Sequence, residues 1–283
     1  MKIRSAVFMV VALLLMGCSN RPPKEYIHDV LLPMTPVKNQ GKSELCWAYA
    51  MLATIETEHI LRGDSVNLSP VYIGRMLEHH PSPNKEHPQR AMCQTALNLM
   101  ARYGMVGYDV LPDDATKELS TPKWVFMLGA KYTPLEFAHS VCAPEEYLSL
   151  TCCPDSPYYK KIEVPVPDNW EHNRLLNIPL DTLKAHTDRA LLHRHPVCWE
   201  SRGHAMCIVG MAHDSLQQRY YIMKNSWGTD QPHGGLVYMP ADEMWRDVIA
   251  LYMTKEAYSH EQASFLFMKN LFSLRRRTCF SLT

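Results

Sequence analysis

Apolar positions fall into a few runs along this chain, and the spacing within each run differs. Ala48, Met51, Leu52, Ile55 and His59 recur at i, i+3, i+4, i+7 and i+11, while Thr54, Glu56, Thr57, Glu58 and Arg62 fall elsewhere. That pattern predicts a helix of about four turns with Gly63 as its stop. Gly203 to Met211 reads as a buried strand, Ala212 to Gln218 as a polar turn and Arg219 to Lys224 as a returning strand. In such an antiparallel hairpin His204 and Asn225 are equidistant from a point between Asp214 and Ser215, so they are expected opposite one another unless a bulge intervenes.

The two ends read differently. Lys2 and Arg4 precede an apolar run from Ala6 to Met16, which predicts a secretion signal over 1–17. The run is too short to span a bilayer, which takes about 20 residues. Leu15-Met16-Gly17-Cys18 resembles the lipobox of bacterial lipoproteins. That resemblance implies cleavage before Cys18, a lipid on Cys18, and export to a bacterial membrane as a periplasmic or surface protein. A polar tether with Pro22-Pro23 is expected over 18–35, a folded domain over 36–258, and a basic amphipathic tail over 259–283. The tail carries Phe265, Met268, Leu271 and Phe272 ahead of Arg275-Arg276-Arg277, and is expected to dock on the core or stay disordered.

Composition narrows the function classes. The 283 residues include 29 Lys+Arg and 29 Asp+Glu, with 46% hydrophobic and 20% charged residues. Disorder and a collagen-like fibre are excluded, and a neutral balance gives no electrostatic reason to expect nucleic acid as a partner. Apart from Cys18, cysteines stand at 46, 93, 142, 152, 153, 198, 207 and 279, without a CxxC pair or a His/Cys array at zinc spacing, so no metal site is expected. Export permits disulfides, but with Cys46 kept free an odd number remains, and the connectivity is open.

Candidate chemistry centres on Cys46. A polar loop, Pro36 to Leu45, runs directly into the predicted helix, which places Cys46 at its amino end. Unpaired N–H groups and the helix dipole there are expected to lower a thiol pKa. A cysteine ahead of an apolar helix is also commonly an inert buried residue. His204 at the strand end, with Asn225 accepting from one ring nitrogen and Trp227 shielding that bond, supplies a possible base; a purely structural hairpin offers the same pair.

Three segments together resemble the papain-like cysteine peptidases: Asn39-Gln40 with Cys46-Trp47-Ala48, then Gly203-His204-Ala205, then Lys224-Asn225-Ser226-Trp227-Gly228, in the family's order of Cys, His, Asn. The resemblance implies an α+β fold in which a helical half packs against an antiparallel, barrel-like sheet half, with the active site in the groove between. It implies Cys46 as nucleophile, His204 as acid and base, and Asn225 as its orienting partner. Gln40 and the Cys46 N–H would form the oxyanion hole, with Trp47, Trp227 and Ser226 in support and a peptide or protein as substrate. No cofactor or metal is required. Glu44, Leu45 and Gly203 are expected along the substrate groove. The chain departs from the family at Glu44, where glycine is usual, and at Ser43, where many members have a cysteine. Gln89-Arg90-Ala91-Met92-Cys93 stands where many members carry substrate-pairing glycines.

Leu68-Ser69-Pro70 opening a second helix, Tyr158-Tyr159, and Val166-Pro167-Asp168-Asn169-Trp170 leading into Asn177-Ile178-Pro179-Leu180 look like the bleomycin hydrolase and aminopeptidase C branch. That branch lacks an inhibitory propeptide domain, and the short stretch between Cys18 and the active-site loop leaves no room for one. The chain also looks too short for the branch's inserted arms. No motif is found between Pro112 and Ala143, and 121–140 is read as a helical connection or an insertion. The remaining histidines, including His79-His80 and His193/His195, are taken as surface or loop residues. The reading from a different function class is a catalytically silent lipoprotein that keeps the groove for binding peptides.

Overall fold

The computed structural model describes residues 24–115, 119–127 and 129–259. The expected signal over 1–17, Cys18, the first part of the tether, Cys279 and the tail from His260 onward lie outside the described residues. The tether ends earlier than expected, because Ile27–Leu31 form strand β1 of the domain. Its partner is the sheet's longest strand: Ile27 lies opposite His213 and Leu31 opposite Gly210. The approach needs a glycine, since a Cβ at Gly210 would stand 2.2 Å from the Val30 carbonyl oxygen.

The helical half begins with α1, Cys46–Leu61. Leu45 gives this helix no side-chain cap, a shortfall of about 1 kcal/mol. Burial outweighs it: Trp47, Met51, Leu52 and Ile55 are all sealed from solvent, and each contributes roughly 2 kcal/mol. At the other end Gly63, at φ +89°, terminates the helix, as expected. Helix α1 is buried all round from Cys46 to His59, so the face expected to point away from the core is covered too. Thr54 and Thr57 turn their hydroxyls onto the carbonyls of Ala50 and Ala53 at 2.9 and 2.8 Å. Glu56 accepts from the Lys38 ammonium and from the Leu68 N–H at 2.7 Å. Glu58 meets His195 at 3.0 Å.

Around α1 lie α2 (Pro70–Glu78) and α3 (Cys93–Tyr103). Ser69 caps α2 by accepting from the Tyr72 N–H at 3.1 Å, with Pro70 in the first turn. The stretch without a motif resolves into a small hairpin, β2 (Val125–Met127) with β3 (Ala130–Tyr132), followed by α4 (Pro134–Val141), which Thr133 and Glu136 close with a capping box.

The second half is a nine-stranded sheet assembled from β1, β4 (Tyr147–Thr151), β5 (Lys160–Glu163), β6 (Arg174–Asn177), β7 (Val197–Ser201), β8 (His204–His213), β9 (Arg219–Lys224), β10 (Leu236–Pro240) and β11 (Val248–Thr254). Helix α5 (Leu180–Leu192) feeds β7, and α6 (Ala241–Asp247) links β10 to β11. Pairing runs β10-β9-β8-β7-β11-β4-β6-β5, with β1 added to β8. The sheet is antiparallel except for β4 and β6, which run parallel, so it is mixed where an antiparallel sheet was expected.

The β8–β9 hairpin forms, but its register is corrected. Cys207 pairs with Lys224 and Gly210 with Ile222, across a bulge between Ile208 and Gly210. The ladder is therefore centred one to two residues later than the symmetric reading, and His204 and Asn225 are not a backbone pair. Of the histidines taken as surface or loop residues, His186 needs correction, since it is buried in α5. His195 stands in a loop, half-buried against Glu58, and His59 is buried on the apolar face of α1 where the spacing put it. All seven cysteines among the described residues are free thiols. No helix of the described residues is long and apolar enough to cross a membrane.

Candidate active site

The loop ahead of α1 is tied to the segment after β9. Gln40 N–H donates to the Ser226 carbonyl at 2.8 Å, Gly228 N–H donates to Lys38 at 3.0 Å, and Asn39 bridges to Trp227. Gly41, at φ +57°, turns the chain there, and its N–H donates to the Asn39 side chain at 2.9 Å. These bonds fix the Gln40 amide at both ends: Nε2 donates to the Ser43 carbonyl at 2.6 Å, and Oε1 accepts from Ser226 Oγ at 2.5 Å. One Nε2 proton remains unassigned. Cys46 is the first residue of α1, so its N–H has no partner inside the helix.

Cys46 and His204 line one cavity of about 230 Å³, shared with Gln40, Arg90, Asp168 and Glu200. Asn225 supplies the key bond: its Oδ1 lies 2.9 Å from His204 Nε2 and also accepts the Ser226 N–H at 2.8 Å. An amide oxygen can only accept, so Nε2 carries the proton and Nδ1 keeps the lone pair of the neutral ring. The Trp227 ring stacks on His204 at 5.2 Å, which covers that bond. The side-chain pairing expected from the hairpin is thus present even though the backbone register differs.

Burial sets the ionic state. Cys46 is only 9% exposed, and desolvation raises its thiol to about 11, held back in part by hydrogen bonds from the Ala205 and Trp47 backbone. Burial likewise lowers His204 from the ordinary histidine value, with the Asn225 bond opposing. Both shifts favour a neutral thiol and a neutral imidazole. Desolvation thus opposes the lowering expected at the helix terminus.

The groove residues divide. Glu44 lines the cavity, with its carboxylate 2.6 Å from His87 Nδ1, and Gly203 lines it at φ +85°. Leu45 does not: it is 5% exposed and turns into the helical core beside Gly74. Trp47 is buried, and its Nε1 donates to the Gln89 carbonyl at 2.8 Å. The sequence reading set Arg90 on the expected substrate wall but gave no part in the site to Asp168 or Glu200. Arg90 pairs with Asp168 at 2.8 Å on the cavity wall, and Glu200 lies beside them. Below the site, Lys38, Glu56 and Lys224 form a buried charge cluster. The run Val197-Cys198-Trp199-Glu200 carries the one visible signal, a carboxylate inside an otherwise apolar strand.

Comparison with known proteins agrees with this arrangement. A model of the papain family cysteine proteases matches residues 183–254, the stretch holding His204 and Asn225. Ananain from Ananas comosus is 26% identical over 217 residues, covering 74% of this chain and 53% of that protein. A cysteine proteinase from Theileria parva is 25% identical over 218 residues, covering 76% and 42%. The chain thus spans about half the length of the curated relatives it matches. Among solved structures, PepW from Lactobacillus rhamnosis superposes with a TM-score of 0.64 at 15% identity, covering 82% of each chain. Procathepsin L 3 of Tenebrio molitor reaches 0.50 at 16%, covering 83% and 71%. The described residues therefore have a papain-like α+β fold, and residues 183–254 carry the sequence pattern of the papain family cysteine protease domain.

Proposed function

We propose that the protein is a cysteine peptidase that hydrolyses peptide bonds through a thioester on Cys46. The observation that carries this reading is the Asn225 bond to His204 Nε2, which leaves Nδ1 as a base in the cavity that also holds the Cys46 sulfur. The imidazole takes the thiol proton, and the sulfur attacks the peptide carbonyl. The developing oxyanion is met by the Cys46 N–H and the remaining Gln40 Nε2 proton. His204 then protonates the departing amine, and afterwards draws a proton from the water that hydrolyses the thioester. Asn225 keeps the ring in one tautomer through both steps.

The papain family cysteine protease match over residues 183–254 and the likeness to the Theileria parva cysteine proteinase support the reaction class. Both modes, aminopeptidase and endopeptidase, fit this reading. Cleavage profiling on a peptide library with free and blocked amino ends tests both statements. Wild-type protein is expected to cleave, a preference for free ends marking an aminopeptidase and its absence an endopeptidase, and Cys46→Ala to lose at least about a thousandfold in rate. Saturable peptide binding without turnover in the wild type would replace the peptidase reading with that of a binding protein.

A further inference from the structure

The wall of the cavity away from Trp227 holds an imbalance of charge. Arg90 Nη2 and Asp168 Oδ2 sit 2.8 Å apart, each partly shielded from solvent, and neutralise one another. Glu200 has no such counterpart: among the described residues it forms no ion pair with a cationic side chain. Its oxygens accept from the Cys93 N–H at 3.3 Å and from the Tyr252 hydroxyl at 2.7 Å. A carboxylate has about four acceptor positions, so capacity remains on the side open to the cavity. On the same cavity wall Gly203 leaves room for Arg90, since a Cβ there would stand 3.0 Å from Arg90 Nη2.

Position makes the imbalance matter. Glu200 is the cross-strand partner of Ala205 between β7 and β8, and such partners lie about 5 Å apart at Cα. Ala205 and Cys46 line the same cavity, and the Ala205 backbone helps to hold the thiol pKa down. A substrate whose carbonyl is presented to that sulfur therefore passes over Glu200 within a residue or so of the reacting bond.

We propose that Glu200 determines specificity by selecting substrates that place a cationic nitrogen, either an α-ammonium group or a Lys or Arg side chain, in this end of the cavity. The inference rests on the peptide-cleaving reading of the same site and names its substrate class. Burial of an unpaired carboxylate is costly, and an incoming cation supplies the missing charge. Burial raises the Glu200 carboxyl to about 7, so cation binding near neutrality also drives off the proton held by part of the population. The groups facing Glu200 from neighbouring elements are Cys46 of α1, Cys93 of α3, Tyr252 of β11, and the Asp168 and Arg90 loops. The thiols and the tyrosine are all raised further above neutrality by burial.

Equilibrium binding to full-length Cys46→Ala protein tests this without relying on turnover. The probes are fluorescent peptides carrying Lys or norleucine at each position in turn, with the amino end free or acetylated. At about pH 7.5 one class of cation-bearing peptide is expected to bind roughly tenfold more tightly than its neutral counterpart, with the advantage shrinking toward about pH 5.5 as Glu200 protonates. Comparing paired peptides cancels any titration of His204 that affects both alike. Dependence on the free end assigns the α-ammonium, and dependence on Lys assigns the side chain. Adding Glu200→Gln should remove most of the preference. Equal binding of all peptides, a pH-independent preference, or a preference that survives Glu200→Gln would overturn the proposal. Should Glu200→Gln fail to fold, the pH series on the parent protein still decides. Absence of turnover in the wild type would count against the peptidase reading alone.

Discussion

Desolvation is the leading influence on the titrating groups around the Cys46 sulfur. Cys46 and Glu200 are pushed up and His204 is pushed down, and burial is the leading cause for all three. For Glu200 the consequence is a pH-dependent stability. Its folded value of about 7 exceeds the ordinary 4.5, so between those values the folded protein holds a proton that the unfolded chain has released. Stability attributable to this group is therefore full below the unfolded value and lost as pH rises through the folded one, by on the order of 3 kcal/mol. Glu200→Gln, which mimics the protonated acid, should gain on the wild type between about pH 5 and pH 8 in thermal melts, and a constant difference would contradict this assignment. Residue identity was legible in sequence for Gln40, Cys46, His204 and Asn225, because three short segments agree in type and order. Ionic state was not, because it depends on how completely each group is covered.

At the level of elements, α1 shows what a periodic pattern conveys and what it omits. The stripe from Ala48 to His59 marked one buried face, yet Glu56 and Glu58 are buried as well. Their partners, Lys38, Lys224 and His195, come from a loop and from the sheet half, at separations no local spacing reveals. Removing Glu56 would leave the Lys38 and Lys224 ammonium groups buried without an anion. Glu56→Ala is expected to destabilise the protein by about 3–5 kcal/mol in urea unfolding, and a loss under about 1 kcal/mol would show that water reaches the cluster. The β8–β9 hairpin was legible as two strands and a turn, but not in register. The strands close with His213 opposite Arg219, which centres the turn on Leu216, and nothing in the apolar run from Met206 to Met211 marks that centre. For β1 the signal was weaker still, since most of Ile27 to Leu31 is exposed and alternation is lost.

In the molecule as a whole, the site is made by bringing together loops and strands from both halves. Gln40 and Cys46 come from the start of the helical half, His204 and Asn225 from the sheet half, and Arg90 and Asp168 close the wall between them. The α+β division was readable from the helical stripe and the hairpin, whereas the parallel pairing of β4 with β6 and the burial of Leu45 depend on contacts distant in sequence. The same long-range assembly gives Glu200 its place beneath the groove. Acid-quenched mass spectrometry during turnover of a peptide ester tests the central claim most directly. The account predicts a transient acyl group on the fragment containing Cys46, chased to product in the wild type and absent in Cys46→Ala and His204→Ala. Turnover with no acyl group on Cys46, or equal turnover by Cys46→Ala, would contradict it.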